Sequence, residues 1–162
     1  MKIIRLSLNN LASLAGTHDI HFEENPLAQA GLIAITGKTG AGKSTLLDAM
    51  CLALYDGIPR LPDSDNPRSR RKSTIVDASG QAISINDPKN ILRRGTTSGF
   101  SELEFIALDQ KRYIARWEIR RSRNKVDGNI KVERFVKCVD DCRVMTQKIT
   151  ECIKKKKKIT GL

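Results

Sequence analysis

The chain has 162 residues, 40% hydrophobic and 29% charged, which is enough apolar material for one packed domain and too much for wholesale disorder. No apolar run approaches the roughly 20 residues of a membrane span, and the start MKIIRLSLNN alternates where a signal peptide would be apolar, so a cytoplasmic location is expected. Lys and Arg number 29 against 18 Asp and Glu, a formal charge of +11 that favours polyanionic partners, nucleic acid before acidic membrane. Aromatic residues make up 4%, so base stacking has little material and phosphate contacts would have to carry such binding.

Ile4, Leu6 and Leu8 alternate with Arg5, Ser7 and Asn9, the period of a half-buried strand, and Ile20 and Phe22 bracket His21 in a second short run. Gly31-Leu32-Ile33-Ala34-Ile35-Thr36 is apolar without alternation, which predicts a strand buried on both faces. A glycine-rich turn follows. From Ser44 to Tyr55 the apolar residues Leu47, Met50, Cys51 and Leu54 fall at helical spacing, and Gly57 and Pro59 close the helix.

Residues 60–86 read as a loop or insertion carrying the basic clump Arg68, Arg70, Arg71 and Lys72. Asp87-Pro88 offers an N-cap with proline at the first helical position, and Gly95 a stop, predicting a short helix through Ile91 and Leu92. Residues 101–139 read as antiparallel sheet. Leu103, Phe105 and Ala107 alternate, then Tyr113, Ala115, Trp117 and Ile119, then Ile130, Val132, Arg134 and Val136, with turns at Asp109-Gln110 and Asp127-Gly128-Asn129. Residues 146–162, with lysines at 154–158, predict the start of a further helix.

One motif carries chemistry. Gly37-Lys38-Thr39-Gly40-Ala41-Gly42-Lys43-Ser44 is a full G-x-x-x-x-G-K-[ST] phosphate loop. Its glycines permit torsions that turn successive N–H groups inward around a phosphate, and the helix beginning beside Ser44 adds its positive dipole end. Lys43 is placed to reach the β- and γ-phosphates of ATP, Ser44 to ligate Mg²⁺, and Thr45 to bond the α-phosphate. The expected fold class is therefore α/β: a P-loop NTPase lobe with mixed sheet and an antiparallel β-meander.

No complete catalytic set accompanies the loop. Phe105-Ile106-Ala107-Leu108-Asp109 has the form of an apolar strand ending in a Mg²⁺-holding acid, but Glu102 and Glu104 alternate just upstream, which favours a hairpin turn. Cys138 and Cys142 are four apart with no second pair at zinc spacing, and His18 and His21 lack a companion cysteine, so ordinary packing roles are expected. Arg120-Arg121-Ser122-Arg123-Asn124-Lys125 and the lysines at 154–158 are candidate DNA-phosphate contacts.

The stretch from Gly31 through the phosphate loop to Tyr55 resembles the N-terminal segment of the SbcC family, ATPase partners of SbcD nucleases and relatives of the SMC proteins. Ile58-Pro59-Arg60-Leu61, Asp87-Pro88, Ile91 through Gly95, Tyr113 through Glu118, Arg123 through Asn129 and Thr146-Gln147-Lys148 extend the likeness. The resemblance implies that residues 1–162 form the N-terminal lobe of an ABC/SMC-type ATPase head. Its own C-terminal lobe would complete that head beyond a long coiled coil, and a second copy would sandwich ATP with it. ATP binding and hydrolysis would gate DNA-end processing by an SbcD-type subunit in double-strand-break repair, in the cytoplasm and at the nucleoid. It further implies that Ser13 lies near the nucleotide sugar or base, and that the elements needed for turnover belong to other parts of a family member, so this chain would bind ATP without hydrolysing it. Other readings are a RecF- or RecN-type ATPase and a basic DNA-binding module with a vestigial loop. An unrelated P-loop kinase is disfavoured by the excess of strands after residue 95.

Overall fold

The computed structural model describes residues 1–61, 74–140, 143–146 and 158–161. Strands β1 (Lys2–Leu11), β2 (Leu14–His21), β5 (Ser98–Ile106), β6 (Arg112–Arg121), β7 (Ile130–Cys138) and β8 (Arg143–Thr146) form one sheet in the order β2-β1-β5-β6-β7-β8. Every pairing in it is antiparallel. The one α-helix among the described elements, α1 (Lys43–Tyr55), packs on β5, β6 and β1.

The alternation read from the sequence places the core. Leu6 and Leu8 of β1, Leu103 and Phe105 of β5, and Tyr113, Ala115, Trp117 and Ile119 of β6 are all buried on the face that α1 covers, together with Val136 and Cys138 of β7. Cross-strand partners match in kind: Phe105 stands opposite Tyr113 with ring centroids 6.0 Å apart, and Leu103 opposite Ala115. The opposite face is a charge ladder. Arg5 Nη2 lies 2.6 Å from Glu102, Arg116 Nη1 3.0 Å from the same carboxylate, and Arg112 Nε 2.6 Å from Glu104. Such part-exposed pairs add only about 0–1 kcal/mol each, but they keep that face polar.

Helix α1 begins one residue before the expected Ser44 and ends at Tyr55, as expected. Its buried stripe matches the expected one only at Leu54. Thr45, Asp48, Ala49, Leu52, Ala53 and Leu54 are buried, whereas Leu47 is exposed and Met50 and Cys51 lie half-buried. The helix approaches the sheet through small residues, and Ser101 Oγ of β5 donates to the Ala49 carbonyl at 2.6 Å. Close approach over alanine, anchored by a polar bond, sets the rotation instead of the largest apolar residues.

Three further expectations are corrected. Residues 31–36 form no strand: Leu32 is 90% exposed, and Ile33 and Ile35 are also exposed. A strand buried on both faces needs neighbours to pair with, and no described strand pairs with this run while every pairing in the sheet is antiparallel, so the parallel component of a mixed sheet does not form among the described residues. Within the expected loop 60–86, β3 (Thr74–Val76) and β4 (Ala82–Ser84) pair as a separate hairpin. Asp77 of that hairpin takes Arg121 Nη1 of β6 at 3.1 Å, both side chains largely buried. Thr146 ends β8 rather than opening a helix. Of the expected helix 146–162 only 158–161 are described; 158–160 are helical, with Ile159 packed into the core. The basic clump at 68–72 and the lysines at 154–157 lie outside the described residues.

The short helix after Asp87-Pro88 forms as a 3₁₀ turn, Pro88–Ile91, whose first N–H groups are capped by Asp87 accepting from the Lys89 N–H at 2.9 Å. It brings Ile91 and Leu92 against β1, with Leu11 and Leu92 bridged.

Candidate nucleotide-binding site

The phosphate loop sits between the exposed run 31–36 and the start of α1. Gly37, Gly40 and Gly42 have φ of +152°, +83° and +91°, all in the region that side-chain-bearing residues avoid. At Gly42 there is a second reason for glycine: a Cβ would lie 2.6 Å from Leu14 Cδ2 and 2.9 Å from Leu14 Cγ. Gly42 is also the N-cap of α1, with no side-chain cap, so the helix's first N–H groups have no capping side chain. Lys43 curls back over the loop, its Nζ donating to the Gly37 carbonyl at 2.7 Å and the Lys38 carbonyl at 2.9 Å.

Ser44 is exposed in the first turn of α1, while Thr45 is buried. Thr39, Gly40, Ala41, Gly42, Lys43, Ser44 and Thr45 line an open hollow of about 350 Å³, whose remaining lining is Ala12, Ser13 and Arg60. Ser13, expected near the nucleotide, thus lies on the same hollow as the loop. Its carbonyl accepts from Arg93 Nη1 at 2.9 Å, and that of Ala12 from the same nitrogen at 3.2 Å.

Two residues of this site were not singled out from the sequence. Asp48, one turn into α1, is only 3% exposed, and its counter-charge is Arg60, whose Nη2 lies 2.5 Å from Asp48 Oδ2. The contact is an ion pair by distance but is not aligned as a hydrogen bond. Burial pushes the Asp48 carboxyl above its ordinary value, and the Arg60 charge pulls part of that back. The same burial, with the Asp48 charge added, raises the Cys51 thiol. No spacing rule links residues 12 apart across a helix end, so the pair was not legible.

The other candidates resolve as follows. Asp109 is the hairpin-turn residue between β5 and β6: it accepts from the Tyr113 hydroxyl at 2.7 Å and the Lys111 N–H at 3.1 Å, beside Gln110 at φ +61°. His18 Nε2 lies 2.9 Å from the Ala15 carbonyl and His21 Nδ1 3.4 Å from Glu24. Among the described residues no group of His, Cys, Asp and Glu could hold a metal ion, and no helix is long and apolar enough to cross a membrane. In the run 120–125, Arg120 pairs with Glu133 and Arg121 turns inward to Asp77 and the Gly128 carbonyl. Arg123 and Lys125 remain exposed, on a shallow hollow shared with Lys131.

A family model described as AAA domain matches residues 5–161. The chain belongs to the AAA domain family. This agrees with a P-loop NTPase. Among individual proteins, the chain is 53% identical to a Pseudomonas aeruginosa protein named as the SbcC subunit of the nuclease SbcCD, over 79% of this chain and 10% of that one. It is 44% identical to the protein of the same name from Rhodobacter capsulatus, over 100% of this chain and 13% of that one. With the namesake from Clostridium acetobutylicum the identity is 25%, over 100% of this chain and 12% of that one. These relatives bear out the resemblance to the SbcC family. The chain spans little more than a tenth of the length of the relatives it matches.

Proposed function

We propose that this chain is the ATP-binding N-terminal lobe of an ABC/SMC-type head in an SbcC-type protein, and that it binds Mg·ATP without turning it over by itself. The observation that carries the reading is the phosphate loop: Gly40 and Gly42 at positive φ, Lys43 and the uncapped start of α1 line one hollow, and the Gly37 carbonyl accepts from Lys43 Nζ. Backbone N–H groups and the helix end supply fixed partial positive charge, and Lys43 supplies a full one. Ser44 is the hydroxyl this chain offers to Mg²⁺, which would neutralise charge on the phosphate oxygens.

The exposed Leu32, Ile33 and Ile35, directly before the loop, support the view that a C-terminal lobe covers this edge in the whole protein. In that protein, engagement of two heads around ATP would gate an SbcD-type nuclease on DNA ends. With Arg121 buried and Arg120 paired, DNA-phosphate contact on this part of the lobe falls to Arg123, Lys125 and Lys131.

The test separates capture from turnover. The chain alone should hydrolyse ATP no faster than background. Adding the C-terminal lobe of an SbcC-type protein in trans should bring stable association and hydrolysis that Lys43→Ala removes. A folded C-terminal lobe that neither associates nor raises hydrolysis would contradict the reading.

A further inference from the structure

The hollow at the phosphate loop has a cation that the loop motif does not supply. Arg60 lies beyond the end of α1, yet it lines the same space as Thr39 to Thr45. Its side chain is 55% exposed although Nη2 touches a carboxylate that is almost wholly buried. A guanidinium carries five N–H donors, far more than one carboxylate oxygen can take. Surface pairs of this length ordinarily form between two exposed, mobile side chains. Here one partner is fixed inside a helix whose N-terminus is the phosphate loop.

A buried carboxylate is costly, and an apolar residue could fill the Asp48 position at lower cost. The position has a use if the charge is there to hold something. What it holds is the guanidinium at the rim of a hollow built for phosphate. Planar bidentate donors match phosphate oxygens well, and an arginine already held near the site by a counter-charge loses less freedom on binding.

We propose that Arg60 is a second phosphate-binding cation of the Gly37–Thr45 site, and that Asp48 is the positioning residue that fixes its guanidinium over the hollow. The inference rests on the nucleotide-binding reading above and adds a named group to it. Arg60 meets the polyphosphate of ATP from outside the loop, while Lys43 and the backbone N–H groups meet it from within. Asp48 does not touch nucleotide; it acts through Arg60.

The experiment is a titration of the full chain with a fluorescent ATP analogue and Mg²⁺, using wild type, Lys43→Ala, Arg60→Ala, Arg60→Lys and the double variant Asp48→Asn/Arg60→Ala. Loss of one charge-assisted phosphate contact should weaken binding about tenfold or more in Arg60→Ala. Arg60→Lys should recover part of this, as a point charge without the fork. The double variant removes both charges, so no buried carboxylate is left unpaired and the fold is protected. It should bind as weakly as Arg60→Ala. If the double variant binds like wild type, Arg60 serves only to neutralise Asp48 and the proposal is overturned. It is overturned equally if Arg60→Ala binds like wild type while Lys43→Ala abolishes binding, in which case the phosphate-loop reading stands. A folded wild-type chain that binds no nucleotide overturns both.

Discussion

Leu14, at the start of β2, packs directly over Gly42, so that any β-carbon there would sit 2.6 Å from the leucine methyl. The edge of the sheet thereby fixes the last turn of the phosphate loop, and the loop's shape depends on a residue outside the motif. Gly42→Ala combines this clash with a φ of +91° and should cost about 1–3 kcal/mol, with loss of nucleotide binding. Leu14→Ala added to it should relieve the clash but not the torsion. Urea unfolding of the two single variants and the double should therefore show less than additive destabilisation; full additivity would mean that the two residues do not meet.

Helix α1 is held to the sheet at two kinds of contact. Trp117 is among the largest fully buried side chains, and Trp117→Ala should cost about 3–5 kcal/mol through the cavity it leaves. Ser101, opposite Trp117 in register, contributes its bond to the Ala49 carbonyl, so Ser101→Ala should cost about 1 kcal/mol. Denaturant midpoints would rank them, and a larger loss for Ser101→Ala would place the anchor of α1 in the hydrogen bond.

At the other end of α1, Arg134 Nε of β7 lies 2.5 Å from Asp56 Oδ1, with both side chains mostly buried. Removing one partner leaves the other charged and poorly solvated. Asp56→Ala should therefore cost about 2–3 kcal/mol, below the figure for a fully buried pair, and Asp56→Asn less, since asparagine keeps an acceptor and tolerates the left-handed φ of +62°. Equal losses in the two variants would show that charge is irrelevant there.

The Tyr113 hydroxyl holds the Asp109 carboxyl below its ordinary value, against a smaller opposing effect of burial. A folded-state value below the unfolded one means that the unfolded chain binds the proton more tightly. The contribution to stability is present above about pH 4, the unfolded carboxylate value, and is lost as pH falls through the folded one. Tyr113→Phe should flatten this acid limb below about pH 4, the reference carboxylate value, while leaving the pH dependence near neutrality alone. Stability curves with unchanged acid slope would remove the hydroxyl from the account.

The sheet was legible where one face is buried and the other wet, because period-two alternation records that difference directly; β1, β5, β6 and β7 all show it. The phosphate loop was legible because its chemistry needs fixed residue types at fixed spacing. Residues 31–36 were misread because an apolar run reports that something covers a segment, not what covers it. The rotation of α1 was misread because Ala49 and Ala53 mark the close approach, and small residues carry little weight in a hydrophobic stripe. Asp48 was hidden among apolar neighbours, since its partner Arg60 comes from a segment with no periodicity.

The central claim is that Gly37 to Thr45 capture the phosphates of ATP, and calorimetry of Mg·ATP binding to the chain, with Lys43→Ala beside it, tests it most directly. Lys43 is bonded only to loop carbonyls among its described contacts, so its removal should leave the fold intact. Saturable binding to the wild-type chain, lost in Lys43→Ala at unchanged circular dichroism, is the predicted result. Equal binding by both chains, or none by a folded wild-type chain, would contradict it.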